Sequence, residues 1–260
     1  MGTYLDRIVA AHREAAGADG RDLDELLAEA SAAPPTRGFA SALATEAGLS
    51  VVAEVKRASP SRGPLAPDLD PAALAGAYER GGAACLSVLT DVEFFAGSPA
   101  DLAAARAACG VPVLRKDFTL GPADVCDARL MGADAVLLIA AALSPGELSE
   151  LLSLAGRVGI DALVEVHDEE EAARAIDLGA TLVGVNQRDL VSFEVDTGRA
   201  ERVAGSLPGG VVKVAESGIR GPEDAARLAA AGFDAVLVGE SLVTSADPAG
   251  AVFALRGAGR

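Results

Sequence analysis

Glu54 and Lys56 stand two residues apart near the end of an apolar run that begins at Leu49. Such a run, bounded by turn residues, predicts a strand that is buried on both faces. Side chains two apart on a strand project from the same face, so an acid and a base share one buried surface. Because a buried charge needs a partner or a solvated pocket, the pair is either a structural ion pair or an acid–base pair delivered into a site.

Similar residues recur at the ends of other predicted strands. The full candidate set comprises Glu54, Lys56, Lys116, Glu165, Asn186 and Glu216. Lysines and carboxylates that are buried near one another shift each other's pKa, as general acid–base catalysis requires. A single residue of this kind is equally well explained as a loop anchor. Five strand ends that each carry one favour a catalytic site.

An alternation of strands and helices must position these residues. The predicted helices lie at 71–80, 99–108, 122–131, 145–157, 168–178, 197–204, 221–231 and 247–256. Proline in the first helical turn marks several of their starts, as at Pro71 and Pro145. The predicted strands lie at 50–55, 84–88, 112–115, 134–139, 160–165, 181–185, 211–215 and 234–238.

A repeated sequence motif supports the prediction of eight strands. It begins at Gly82, Gly132, Gly179 and Gly232, where glycine ends a helix and a strand opens. The copies fall 50, 47 and 53 residues apart, so the period is two strand–helix units. We therefore predict an α/β fold, a closed (β/α)₈ TIM barrel over 49–260. A doubly wound open sheet is the alternative, but no glycine-rich nucleotide motif follows the first strand.

The first 48 residues predict an N-terminal helical extension of the same domain, so that 1–260 form a single unit. Apolar stripes indicate helices at 3–16 and 22–32, and a short helical piece is predicted near 39–46. The start has no apolar stretch typical of a secretory signal, and no apolar run reaches the length of a membrane span. With three cysteines in no metal-binding spacing, we expect reduced thiols and a cytoplasmic protein.

Active sites of such barrels lie at the carboxyl ends of the strands. Ser217-Gly218 and Gly239-Glu240 follow the last two predicted strands, where glycine lets backbone N–H groups approach an anion at a helix N-terminus. Lys56 is placed to add a cation from across the barrel. The pattern predicts a phosphate site, with ordinary helix capping as the alternative.

The charge distribution narrows the class of partner. The net charge of −16 argues against nucleic acid and anionic membranes, which require a basic surface. Cations nevertheless cluster at or just past predicted strand ends, which suits a small anionic substrate. They are Lys56, Arg57, Arg62, Arg115, Lys116 and Arg188.

The sequence offers few histidines for other kinds of catalytic or metal site. His12 is predicted to lie on the surface of the first helix, and His167 is predicted to be structural. A Ser–His–Asp triad or a histidine-rich metal site is therefore not supported, and we expect no metal. The acidic run from Asp168 to Glu171 is interpreted as a solvated first helical turn.

The sequence motifs at the strand ends resemble those of indole-3-glycerol-phosphate synthase across essentially the whole predicted barrel. The resemblance is carried by Glu54–Ser61 (EVKRASPS), Leu86–Asp91 (LSVLTD), Phe94–Ser98 (FFAGS), Leu114–Phe118 (LRKDF), Leu163–His167 (LVEVH), Gly184–Asn186 (GVN), Arg188–Leu190 (RDL) and Glu216–Ile219 (ESGI).

The resemblance implies a carboxy-lyase of tryptophan biosynthesis that needs no cofactor. Its substrate is the anionic phosphosugar 1-(2-carboxyphenylamino)-1-deoxyribulose 5-phosphate, and its products are indole-3-glycerol phosphate, carbon dioxide and water. By family position Lys116 is the first general acid. Lys56 binds the substrate's carboxylate or phosphate and is a second candidate proton donor. Either Glu165 or Glu54 serves as the base for dehydration.

The resemblance also implies binding roles. Asn186 and Glu216 would hold sugar hydroxyls and fix the protonation of the lysines, and Arg188 would contact the anionic substrate. The predicted anion cradle comprises Ser59, Ser217, Gly218, Gly239 and Glu240, the last two through main-chain groups. Phe94 and Phe118 would wall the anthranilate ring, although aromatic core packing explains them nearly as well.

Two positions depart from many family members, namely Gln187 and Glu240. An inward Glu240 carboxylate would repel phosphate, so we expect it to point away. The alternatives left open are another phosphosugar barrel isomerase, which uses different acid–base residues, and a non-catalytic anion-binding barrel. We expect a monomer or a weak homodimer.

Overall fold

Eight parallel strands form a closed barrel in the computed structural model, which describes residues 3–44 and 48–258. Each strand pairs with its neighbours in chain order, and the last pairs with the first. This topology confirms the predicted (β/α)₈ barrel. The barrel strands are β1 (Ser50–Val55), β2 (Cys85–Leu89), β3 (Val113–Lys116), β4 (Ala135–Ile139), β5 (Asp161–Val166), β6 (Leu182–Asn186), β7 (Val212–Glu216) and β8 (Ala235–Val238).

Helices precede and surround the barrel. The extension contributes α1 (Tyr4–Gly17), α2 (Leu23–Ala32) and α3 (Phe39–Leu43). The predicted continuation of α3 over 45–46 lies outside the described residues. The remaining helices are α4 (Pro71–Gly81), α5 (Pro99–Ala107), α6 (Pro122–Leu130), α7 (Pro145–Val158), α8 (Glu169–Asp177), α9 (Arg199–Ala204), α10 (Pro222–Ala230), α11 (Glu240–Val243) and α12 (Pro248–Gly257), with a 3₁₀ turn at Ala140–Ala142 and a short hairpin pairing Ala58–Ser59 with Gly63–Pro64.

The repeated glycines end helices as predicted. Gly82, Gly132, Gly179 and Gly232 all have φ between 86° and 90°, the left-handed conformation that glycine adopts without steric cost. Every strand after β1 begins one residue later than predicted. At Asp134 the side chain accepts the backbone N–H of Val113 at 2.8 Å, while its own backbone N–H donates to the Val113 carbonyl at 2.7 Å.

Inward side chains change character along each strand. Towards the amino ends they form one apolar cluster that fills the barrel, including Val52, Leu114, Leu163 and Val214. Two residues further along, the same faces carry Glu54, Lys116, Glu165 and Glu216. The apolar cluster therefore fills the barrel beneath the polar groups, which lie at the carboxyl ends of the strands.

The N-terminal extension contacts both ends of the barrel. At the amino end, Phe39 and Leu43 of α3 join the internal apolar cluster. At the carboxyl end, His12 of α1 bonds Asp91 at 2.9 Å, so its predicted surface position is wrong. The pKa of His12 is raised, chiefly by that bond. None of the helices in the described ranges is long and apolar enough to cross a membrane.

Candidate active site

A cavity of about 780 Å³ opens at the carboxyl ends of the strands. Every sequence-predicted site residue except Phe94 lines it, so the barrel brings together positions from Glu54 to Glu240. Those that line it are Glu54, Lys56, Ser59, Lys116, Phe118, Glu165, Asn186, Arg188, Glu216, Ser217, Gly218, Gly239 and Glu240.

The Lys116 ammonium lies between two buried carboxylates. Its Nζ is 2.7 Å from Oε2 of Glu216 and 3.1 Å from Oε2 of Glu165. Burial alone would lower the pKa of Lys116, but the two carboxylates outweigh it and raise that pKa above the usual lysine range. The lysine therefore holds its proton at neutral pH at the floor of the cavity.

The two carboxyl groups that share this lysine are not equivalent. Burial tends to raise the pKa of Glu165, but Lys116, His167 and an Asn186 amide at 3.0 Å outweigh it, so the pKa lies below its usual range. Glu216 has Lys116 as its partner, and its Oε1 has no hydrogen bond within the described part of the chain. Burial and the nearby Glu165 charge therefore raise the pKa of Glu216 above its usual range.

Gly184 makes room for Glu216. It lies on β6 two residues before Asn186, and a Cβ there would overlap Oε1 of Glu216. This role of Gly184 is not among the predictions made from the sequence. The available signal was a glycine inside a strand, which often marks a close approach of another group.

Lys56 has a different partner. Its Nζ is 2.6 Å from Oε2 of Glu54, and Oε1 of Glu54 accepts a bond from Ser87 at 3.4 Å. A Cβ at Gly239 of the last strand–helix loop would overlap the Glu54 carboxylate. The glycine that was predicted to expose backbone to an anion therefore also gives space to the Glu54–Lys56 pair.

The loop after β7 has an unusual backbone. Ser217 and Gly218 both take positive φ, 66° and 73°. Such a conformation is costly for serine and persists where its surroundings hold it. The Gln187 side chain supplies one such constraint, since its Nε2 donates to the Ser217 carbonyl at 2.7 Å. Gln187, the departure noted in the sequence, thus supports the predicted anion loop.

Charged side chains surround the cavity mouth. The Arg62 Nε lies 3.1 Å from Oε1 of Glu240, so this partly exposed carboxylate is charge-paired with another cavity-lining residue. Burial and the neighbouring Arg62 lower the pKa of Arg188 despite Glu240. Two predicted mouth cations do not line the cavity. Arg57 bonds Asp101 at 2.9 Å, and Arg115 bonds Asp117 at 3.0 Å.

The aromatic wall differs from the prediction by one residue. Phe95 and Phe118 line the cavity with their rings 6.4 Å apart. Phe94 instead packs edge-on against Tyr4 of α1, at 5.9 Å. The backbone N–H groups of Phe94 and Phe95 both donate to the Asp91 carboxylate. These bonds fix the turn, so the two adjacent rings point in different directions. The extension adds Tyr4 to the cavity wall, a contribution that its sequence did not indicate.

One group of side chains has the composition of a metal site. His12, Asp91 and Asp117 place ligand-type atoms within 4.8 Å of one another. Asp117 is already bonded by Thr90, Arg115 and the Phe118 N–H. The His12–Asp91 bond joins α1 to the rim of the cavity, which gives the group a structural role.

Comparison with known proteins agrees with the resemblance seen in the sequence. The family model described as indole-3-glycerol phosphate synthase matches residues 5–255. An indole-3-glycerol phosphate synthase of Mycobacteroides abscessus is 52% identical over 260 residues, covering 99% of this chain and 95% of that protein. Indole-3-glycerol phosphate synthase 1 of Streptomyces coelicolor is 53% identical over 237 residues, covering 91% and 88%.

Solved structures share the fold at low identity. A thiamine phosphate pyrophosphorylase from Pyrococcus furiosus matches with a TM-score of 0.62 and 17% identity, covering 81% of this chain and 95% of that one. This likeness concerns the barrel alone. The family match and the relatives together establish that the chain belongs to the indole-3-glycerol phosphate synthase family.

Proposed function

We propose that the chain converts 1-(2-carboxyphenylamino)-1-deoxyribulose 5-phosphate into indole-3-glycerol phosphate, with loss of carbon dioxide and water. Membership of the family supports this activity. Within the site, the observation that carries the proposal is the Lys116 ammonium held between Glu165 and Glu216 in the cavity.

Ring closure needs the sugar carbonyl to become electrophilic while the aromatic carbon attacks it. A protonated Lys116 polarises the carbonyl and donates a proton to its oxygen. Its raised pKa keeps the proton in place until the substrate binds. General acid catalysis of this kind contributes about 10²- to 10⁴-fold. Loss of carbon dioxide then returns electrons to the ring.

Dehydration needs a base and a proton for the departing hydroxide. We assign the base to Glu165, because the Asn186 amide orients its carboxylate and its lowered pKa keeps it ionised. Lys56 supplies the second cation, paired with Glu54 in the same cavity. Glu216 holds Lys116 in place and is available to bond a sugar hydroxyl.

The phosphate is assigned to the loops after β7 and β8, with Ser59 from the β1 loop. Main-chain groups of Gly218 and Gly239 would bind its oxygens. Arg188 lines the same cavity and supplies a cation for the substrate. Phe118 and Phe95 would flank the anthranilate ring.

Composition and net charge support a proposal for the compartment and the partners of this chain. We propose that residues 1–260 act as one domain on this small anionic substrate, in the cytoplasm, as a monomer or weak homodimer, without nucleic-acid or membrane partners. The net charge of −16 supports the exclusion of polyanionic partners. All three cysteines are free and buried, which suits a reducing compartment.

The direct test adds the carboxyphenylamino substrate to the purified chain. Indole fluorescence should rise in proportion to carbon dioxide released. A phosphosugar isomerase would consume or rearrange a different substrate and give no indole. Binding of the substrate without indole formation would instead support a non-catalytic anion-binding barrel and contradict the proposal.

A further inference from the structure

His167 lies directly after β5, and its imidazole lies between two carboxylates. Nδ1 is 3.1 Å from Oε2 of Glu171, and the same oxygen accepts the backbone N–H of His167 at 2.8 Å. Nε2 is 3.5 Å from Oε1 of Glu165. The side chain is 12% exposed, so solvent screens these contacts poorly.

The bond to Glu171 determines where the first imidazole hydrogen sits. An ionised carboxylate only accepts hydrogen bonds, so Nδ1 must carry a hydrogen to make this contact. A neutral imidazole would then present the Nε2 lone pair to the Glu165 carboxylate. Nε2 is buried and has no hydrogen bond among the residues in 3–44 and 48–258. A second proton, on Nε2, converts that repulsive contact into an attractive one.

The charged groups around the imidazole come from three elements. Glu165 belongs to β5, Glu171 to α8 and Arg199 to α9. Burial and Arg199 lower the pKa of His167, but the two carboxylates outweigh them and the pKa lies above its usual range. The contact geometry and the surrounding charges therefore both favour the protonated, positively charged form of His167.

We propose that His167 is a positioning residue that holds a positive charge against Glu165 and keeps this carboxylate ionised and oriented beside Lys116. The inference rests on the proposed function, in which Glu165 is the base. It replaces the purely structural role predicted for His167. It also gives Glu171 a function, because this carboxylate fixes the imidazole from the far side.

The sign of the effect follows from the charges. An opposite charge within about 4–6 Å lowers the pKa of an acid by about 1–3 units. Loss of the His167 charge therefore raises the pKa of Glu165. Because a base must be deprotonated to act, the acid limb of the kcat/KM profile moves to higher pH.

The deciding experiment is an NMR titration of the imidazole Cε1–H signals. The chain has two histidines, so a His12→Gln variant assigns the signals. His167 should titrate above the ordinary histidine value of about 6.5. Glu171→Gln and Glu165→Gln should each lower that midpoint by about 1 unit. Glu170→Gln, which removes an exposed carboxylate from the same helix, should leave it unchanged.

A midpoint at or below the ordinary value, or one that responds to neither Glu165→Gln nor Glu171→Gln, overturns the inference. The titration does not depend on turnover, so it remains decisive even if the proposed reaction fails its own test. For the kinetic effect, His167→Asn retains an uncharged donor for Glu171 and should move the acid limb upward by about 1 unit. An unmoved limb contradicts the role in catalysis.

Discussion

Lys56 and Lys116 lie in one cavity but in different surroundings. Lys116 at the end of β3 contacts two carboxylates that come from β5 and β7. Lys56, just past β1, contacts Glu54 from its own strand. A cation shared by two carboxyl groups cannot neutralise both when they are ionised, whereas a one-to-one pair is neutral by itself. The first arrangement suits proton transfer, and the second suits an adjustable cation for an anionic substrate.

The largest effect should come from neutralising Glu165, the proposed base beside Lys116. Glu165→Gln keeps the size and the contact to Asn186 but cannot accept a proton. Turnover should fall by about 10²- to 10⁴-fold. Initial rates of indole fluorescence measure this. The matched control is Glu150→Gln, an exposed position on α7 that should keep normal turnover. Normal turnover in Glu165→Gln would remove the basis for the comparison.

Gly184→Ala should disturb the same centre without touching a charge. The added methyl overlaps Glu216, so the carboxylate must move from Lys116. Overpacking costs about 1–3 kcal/mol of stability, and misplacement of a reacting group by about 1 Å costs up to about 10²-fold in rate. Gly156→Ala is the control, because its Cβ meets nothing within 4 Å and helix propensity favours alanine by about 0.5–1 kcal/mol. Equal behaviour of the two variants would count against the packing argument.

The raised pKa of Glu216 predicts a pH effect on stability. The folded protein binds this proton more tightly than the unfolded chain, so the free energy of unfolding falls as pH rises from the ordinary glutamate value through the folded pKa. Glu216→Gln removes the titrating group. The free energy of unfolding of this variant should therefore fall with pH by about 1–3 kcal/mol less than that of wild type. Urea midpoints at pH 5 and pH 8 give the difference. Parallel pH curves for wild type and variant would show that Glu216 titrates normally.

The smallest effect is expected at the exposed mouth of the cavity, where Glu240 pairs with Arg62. Glu240→Gln removes a negative charge near the assigned phosphate site and should lower KM about two- to threefold, with kcat unchanged, since exposed charges contribute about 0–1 kcal/mol. The effect should shrink in high salt. Glu201→Gln, in an exposed pair with Arg227, serves as the control. A higher KM in Glu240→Gln would mean that its side chain helps to bind substrate.

Periodicity was sufficient to predict the barrel and its polar mouth. Glu54, Glu165 and Glu216 were predicted at the mouth because each stands at the carboxyl end of a predicted strand, and the repeat that begins at Gly82 indicated the number of strands. These features are local, so the sequence displays them directly.

What the sequence could not predict depends on contacts between distant segments. His12 was assigned to the surface because its partner Asp91 is 79 positions away. Phe94 and Phe95 are adjacent, and only the turn around Asp91 decides which ring faces the cavity. The roles of Gly184 and His167 likewise depend on which side chain lies opposite them.

The most direct test of the difference between the lysines is a single-turnover experiment on Lys116→Ala with enzyme in excess over substrate. Indole formation should be at least about 10²-fold slower than in wild type, with near-normal affinity for a phosphate-bearing analogue. Lys213→Ala, whose ammonium bonds the Ala204 carbonyl, should match wild type. Indole formation by Lys116→Ala at the wild-type rate would contradict the claim that this lysine donates the proton for ring closure.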